Sequence, residues 1–287
     1  MAVSRLNFPT FFNMTSTFTP NVTGGTITTV GGYKIHTFTS TGTDNFAMLS
    51  APPNQQVEYL VVAGGGAGGS RHGSSGGGAG GYRSGTLTMN AGSYLITVGQ
   101  GAAGTFFPQS QPALRGQDSS ISNTVVSVGG GRGAGYSDWG GYPGGSGGGG
   151  GSSANHTGAG GGGAGGVGGN AGSANSNAAG AGIVGQGNAG GISSTSYPNV
   201  IAGTGGAGLS SSITGTSFER AGGGGGAAWN TPSGPRPGSA GGGSGAGDNQ
   251  SGGSATTNSG SGGGGGNGNP SAGGNGGPGI VVLRYLV

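Results

Sequence analysis

Solid blocks of glycine, at 147–151, 222–226 and 262–266, constrain this chain more than any other feature. Glycine has no side chain to bury and loses more backbone freedom on ordering than any other residue. A run of five therefore orders only if its N–H and C=O groups find partners outside the run. Collagen is one way to order glycine, but it demands glycine at every third position with abundant proline between. The blocks break that period, and 13 Pro against 83 Gly in 287 residues are too few. A disordered linker is the second option. Against it stand two apolar runs, Val57–Val62 and Ile280–Val287, of a kind that linkers lack.

The remaining candidate is polyglycine II. It has three residues per turn, about 3.1 Å of rise per residue and no internal hydrogen bonds, the geometry class of polyproline II. Its backbone groups point outward, so side-by-side helices satisfy one another around their whole circumference. In this reading the glycine blocks are the core. Ala, Ser and Asn mark faces and ends, and aromatic residues are expelled to the edges.

Elsewhere the pattern is that of strands. Alternation over Tyr33–Thr39, Thr86–Met89 and Tyr94–Val98, with further strands at Asn123–Val128 and Ile280–Leu286, implies a small antiparallel sandwich. The expected fold is mainly β with almost no α-helix: a small antiparallel β-sandwich joined to a polyglycine II bundle. Three parts follow. Residues 1–29, with Phe8, Phe11, Phe12 and Phe18, form an attachment segment that orders against a neighbour, or alternatively a strand of the chain's own domain. Residues 30–128 form a β-rich domain completed by 279–287, and 129–278 form the bundle with exposed loops.

Charge excludes further classes. Nine basic and six acidic residues give a net +3 without any cluster, so no nucleic-acid partner is expected. No stretch approaches the roughly 20 apolar residues of a membrane span, and the first 20 residues lack a signal peptide's basic start and apolar core. Absence of Cys excludes disulfides and thiolate metal sites. Glycine-rich phosphate-loop patterns occur by chance at this composition, and the one lysine, Lys34, completes none of them. The segment 144–148 fits G-x-S-x-G, but no strand precedes it and no helix follows. His36, His72 and His156 are far apart and the acids are dispersed, so nothing nominates a catalytic or metal site, and no cofactor is expected.

An ordered set of motifs carries a resemblance. Gly31-Gly32-Tyr33-Lys34-Ile35-His36-Thr37-Phe38 is followed by Val57–Gly66, Gly78-Ala79-Gly80-Gly81-Tyr82-Arg83-Ser84-Gly85, Tyr94–Gly99 and the ending Gly276–Tyr285. The set resembles the glycine-rich domain of bacteriophage tail-fibre proteins. It is also similar to the polyglycine II tip adhesins of long tail fibres in T-even-like phages. The resemblance implies a virion protein of the phage tail, without enzymatic activity, whose partners are other tail or fibre subunits and a host surface polysaccharide or outer-membrane protein. A homotrimer through the N-terminal segment is one arrangement open to it, and membrane insertion is not expected. The segment 1–29 matches no known attachment domain. Purely architectural and ice-binding or extracellular roles are the alternatives.

Large side chains in the glycine-rich half are the candidate receptor-binding residues: Phe106, Phe107, Tyr136, Trp139, Tyr142, Tyr197, Phe218 and Trp229. Their flat faces suit stacking on sugar rings, and loops on a rigid scaffold are the usual place for recognition. The competing reading is that they cap the lattice and pack on one another.

Overall fold

Alternating residues build two antiparallel sheets. The computed structural model describes residues 19–104, 115–135, 140–151, 158–170, 178–192, 201–228 and 236–287. The first sheet holds β1 (Asn21–Thr23), β4 (Gly42–Ser50), β7 (Gly92–Val98), β8 (Ser119–Ile121) and β9 (Val125–Ser127), in that spatial order. The second holds β2 (Thr26–Val30), β3 (Tyr33–Phe38), β12 (Ile280–Leu286), β5 (Gln55–Val62) and β6 (Tyr82–Met89). A separate hairpin pairs β10 (Leu209–Ser211) with β11 (Phe218–Arg220). Among the described residues there is no helix.

The unbroken apolar run of β12 follows from its position between β3 and β5, buried on both faces. Val281, Leu283 and Tyr285 meet Phe38, Phe46, Met48, Val61, Ile96 and Ile121 between the sheets. Ile280 and Val282 face the other way, with Ile35, Leu60, Val62, Ala79, Tyr82, Ile213 and Ala221. Each large side chain so buried contributes about 1.5–3 kcal/mol. His36 sits inside the first cluster, edge-on to Phe46 at 5.0 Å and stacked on Tyr285 at 5.8 Å.

Beyond this second face the glycine segments pack as a lattice. Along residues 74–81, successive amides turn to three different neighbours. Ser74, Gly77 and Gly80 donate to Gly266, Gly263 and Gly260, and Ser75 and Gly78 donate to Ala134 and Gly131. Gly76 and Ala79 donate to Ala159 and Gly162, and all seven bonds measure 2.8–3.3 Å. The carbonyls repeat the rotation. Ser74 and Gly77 accept from Ala227 and Gly224, Ser75 and Gly78 from Gly69 and Gly66, and Gly76 and Ala79 from Gly149 and Ser146.

A three-residue period with six neighbours is polyglycine II in a hexagonal bundle. Parallel and antiparallel neighbours coexist, because a helix that bonds outward all round has no preferred direction. Residues 221–228 repeat the arrangement, donating to 203–206, 74–77 and 243–246 and accepting from 158–164, 262–265 and 236–239. At Gly76 only glycine permits this spacing: a Cβ there would stand 2.0 Å from Gly224 O.

Three features differ from the sequence reading. The lattice is not confined to 129–278 but includes 63–69, 74–81 and 99–104, because these runs leave the sheet ends directly into it. Residues 21–23 and 26–30, read as part of the leading segment, are strands paired to β4 and β3. Ala and Ser also lie inside the lattice rather than only at its margins. Ala79 and Ala221 turn their methyl groups onto the apolar cluster of β12, while Ser75 and Ser261 donate their hydroxyls to Gly150 O and Ala240 O.

The molecule is polar along the lattice axis. The lattice joins the sandwich where β5 and β7 end and where β6 and β12 begin. At the opposite pole of the sandwich, Leu286 pairs with Tyr33, Val287 N–H donates to Gly32 O at 3.0 Å, and Asn21 pairs with Ser50. Residues 19 and 287 therefore share the sandwich pole.

Candidate binding surface

Hydrogen-bond register locates the other pole. Gly69 bonds Ser75 across the turn at 70–73, Ser75 bonds Ala134, Gly158 bonds Ala227, and Ala227 bonds Ser74. Gly150 donates to Gly191, Gly203 to Gly158, and Gly141 to Ala178. The described residues that flank 136–139, 152–157, 171–177, 193–200 and 229–235 thus all stand at the lattice end remote from the sandwich. Gly104, which precedes 105–114, is bonded to Asn275 Oδ1 at 2.7 Å and lies toward the same end.

One buried side chain organises this end. Asn267, with no exposed surface, accepts from Gly73 N–H through Oδ1 at 3.2 Å. Its Nδ2 donates to Ala228 O at 2.7 Å and to Asp248 Oδ1 at 3.1 Å, and its main-chain N–H donates to Gln250 O at 2.8 Å. The turn at 70–73, the end of 221–228 and the turn at 247–250 are therefore tied to one amide. Beside it, a Cβ on Gly268 would stand 2.6 Å from Asn249 Cα, at a φ of +117°, so this turn requires glycine. Nothing in the sequence marked Asn267 beyond its place after a glycine block.

Of the expected receptor-binding residues, Tyr142 and Phe218 are described, and they lie apart. Tyr142 is half-buried at the lattice edge; its N–H donates to Arg132 O at 3.1 Å, and the Arg132 guanidinium lies 4.9 Å from its ring centre. Phe218 stands on β11, at the junction of lattice and sandwich, half exposed with the Arg220 guanidinium 4.6 Å from its ring centre. It belongs to a strand rather than to a loop at the remote pole. Phe106, Phe107, Tyr136, Trp139, Tyr197 and Trp229 lie outside the described residues, as do Phe8, Phe11, Phe12 and Phe18.

The hairpin that carries Phe218 is fixed by a clamp the sequence did not announce. Arg284 donates through Nε and Nη2 to Glu58 Oε2 at 3.1 and 2.7 Å, and through Nη1 to Ser212 O at 3.2 Å. Its guanidinium also lies 4.4 Å from the Tyr33 ring centre. Next to the hairpin, burial raises the Tyr82 phenol, against its hydrogen bond to Ser211 and the charge of Arg220. In the sandwich, burial pushes the Tyr285 phenol up to about 12. Among the described residues no three His, Asp or Glu side chains are grouped to hold a metal ion.

Comparison with known families gives a match to a glycine-rich domain over residues 39–286, from the end of β3 through β12. No curated protein matches the chain.

Proposed function

We propose that this chain, which belongs to the family of glycine-rich domains, is a structural protein of a phage tail fibre whose remote lattice pole binds the host cell surface. The polarity of the fold is the observation that supports this reading. Residue 19, which follows the Phe-rich segment, lies at the sandwich pole, whereas the inserts containing Trp139, Tyr197 and Trp229 depart from the opposite one. A lattice whose central strands each bond six others is a stiff support, and recognition residues work best on such supports.

The ordered motifs from Gly31 to Tyr285 supply the tail-fibre part of the reading. Flat aromatic rings on the inserts suit a surface polysaccharide or an outer-membrane loop. The test is adsorption of the purified, labelled chain to susceptible bacteria. Saturable binding that Trp139→Ala or Trp229→Ala weakens, at unchanged melting temperature, is the expected result. Binding unaffected by either substitution removes recognition from these inserts.

One observation favours a purely architectural role. The outer edge of β2, Thr26–Val30, is exposed throughout, with neither charge nor proline to discourage pairing with another strand. Under that role the purified chain assembles with fibre subunits and does not adsorb to cells.

A further inference from the structure

A groove of about 280 Å³ opens on the outer face of the second sheet, at the clamp between Arg284 and Glu58. Tyr33, Gln56, Glu58, Thr86, Arg284 and Leu286 line it, brought together from β3, β5, β6 and β12. Strand alternation puts them there. Val57 and Tyr285 turn into the core between the sheets, so Gln56, Glu58, Arg284 and Leu286 turn outward.

The polar groups of the groove are unevenly committed. Arg284 turns Nε and Nη2 to Glu58 Oε2, and Nη1 to Ser212 O and Ile213 O, so its charge is answered within the protein. Glu58 takes both bonds on Oε2. Its Oε1 accepts from no described residue, and the side chain is 38% exposed. Gln56 donates through Nε2 to Asn54 O and Thr88 Oγ1, which leaves its Oε1 as a second open acceptor. Thr86 adds an exposed hydroxyl, while Leu286, 62% exposed, and the Tyr33 ring add apolar surface.

The pairing of charge decides the class of ligand. A carboxylate or phosphate would face Glu58 Oε1 and find Arg284 engaged, and a cation would compete with Arg284 for the same carboxylate. A neutral body rich in hydroxyl groups meets neither obstacle, and a carboxylate oxygen is the strongest acceptor a hydroxyl can find. The volume lies just under the roughly 300 Å³ at which pockets for drug-sized ligands begin, which suits a single ring. We propose that this groove binds a neutral hexose, whose ring hydroxyls donate to Glu58 Oε1 and Gln56 Oε1 and meet the Thr86 hydroxyl, and whose C–H face lies on Leu286 and Tyr33. The groove is on the sandwich, away from the remote lattice pole, and the assignment stands or falls independently of the tail-fibre reading.

Glucose, galactose and mannose, each titrated into the full chain and followed by NMR, test the assignment, with glucuronate, glucosamine and glycerol for comparison. At least one hexose is expected to shift the Arg284 Nε–H and the Gln56 side-chain amide saturably, with a dissociation constant on the order of 1 mM. Glucuronate and glucosamine bind more weakly, and glycerol gives no such response. Thr86→Val, at an exposed position outside the clamp, weakens hexose binding about fivefold, the value of one hydrogen bond. Leu286→Ser, which removes the apolar wall, weakens it as well. Should either variant fail to fold, the six ligands on the parent protein still decide the matter. Absence of a saturable response to all three hexoses, an equal response to glycerol, tighter binding of either charged sugar, or unchanged affinity in both variants overturns it.

Discussion

Gly224 N–H donates to Gly77 O at 2.9 Å, and the two residues belong to lattice strands that run antiparallel through the centre of the bundle. A Cβ on Gly224 would stand 2.0 Å from Gly263 O, on a third strand. Gly224→Val therefore has to push two neighbours apart. Overpacking costs about 1–3 kcal/mol and each stranded buried amide about 1–3 kcal/mol, so a loss of about 2–6 kcal/mol is expected. Gly140→Ala is the control, since the nearest atom to its added Cβ is 3.4 Å away. Thermal unfolding of both variants beside the parent checks the contrast.

Asn267 makes the second prediction. Asn267→Ala leaves Gly73 N–H and Ala228 O without their partner, at about 1–3 kcal/mol for each buried group. Asn267→Asp retains the acceptor for Gly73 but sets a carboxylate against Ala228 O and Asp248 Oδ1. Its melting temperature rises on acidification toward the range where carboxylates protonate, whereas that of Asn267→Ala shows no such recovery. Amide hydrogen exchange at Gly73 and Gln250 speeds up in both variants.

His36 gives a pH dependence with a definite sign. It is fully buried, and its Nδ1 lies 2.8 Å from Gly24 O. Burial, opposed by this hydrogen bond and assisted by the Lys34 charge, lowers its pKa from the ordinary 6.5. The folded chain therefore binds fewer protons than the unfolded chain between that lowered value and 6.5. Stability rises with pH across this window, is complete above it and falls as the pH drops through it. Denaturant unfolding at a series of pH values measures the slope, and His36→Gln, which removes the titration, flattens it.

Parts of this fold were legible in the sequence because side chains alone specify them. Alternation placed β3 and β7, and the apolar run Ile280–Leu286 signalled a last strand, whose burial on both faces came from the structure. β1, β4 and β10 carry Asn, Asp, Gly, Ser and Thr, and their strand state comes from partners distant in sequence. The glycine blocks announced a lattice, but glycine carries no information about which neighbour it meets. Strand order within the bundle is a property of the whole chain. At the candidate site the aromatic inserts were visible, whereas Asn267 is defined by burial, which composition does not encode.

We propose that the lattice displays its recognition surface at the pole remote from the sandwich. The chain has no Cys, so single cysteines can carry a bulky polymer to chosen points. Gln250→Cys marks the exposed turn at the remote pole, and Thr29→Cys marks β2 near the sandwich pole. Adsorption of each conjugate to susceptible cells is compared with that of its unconjugated form. Polymer at position 250 is expected to block adsorption and polymer at position 29 to leave it intact. Blockade from position 29 with full adsorption from position 250 contradicts it.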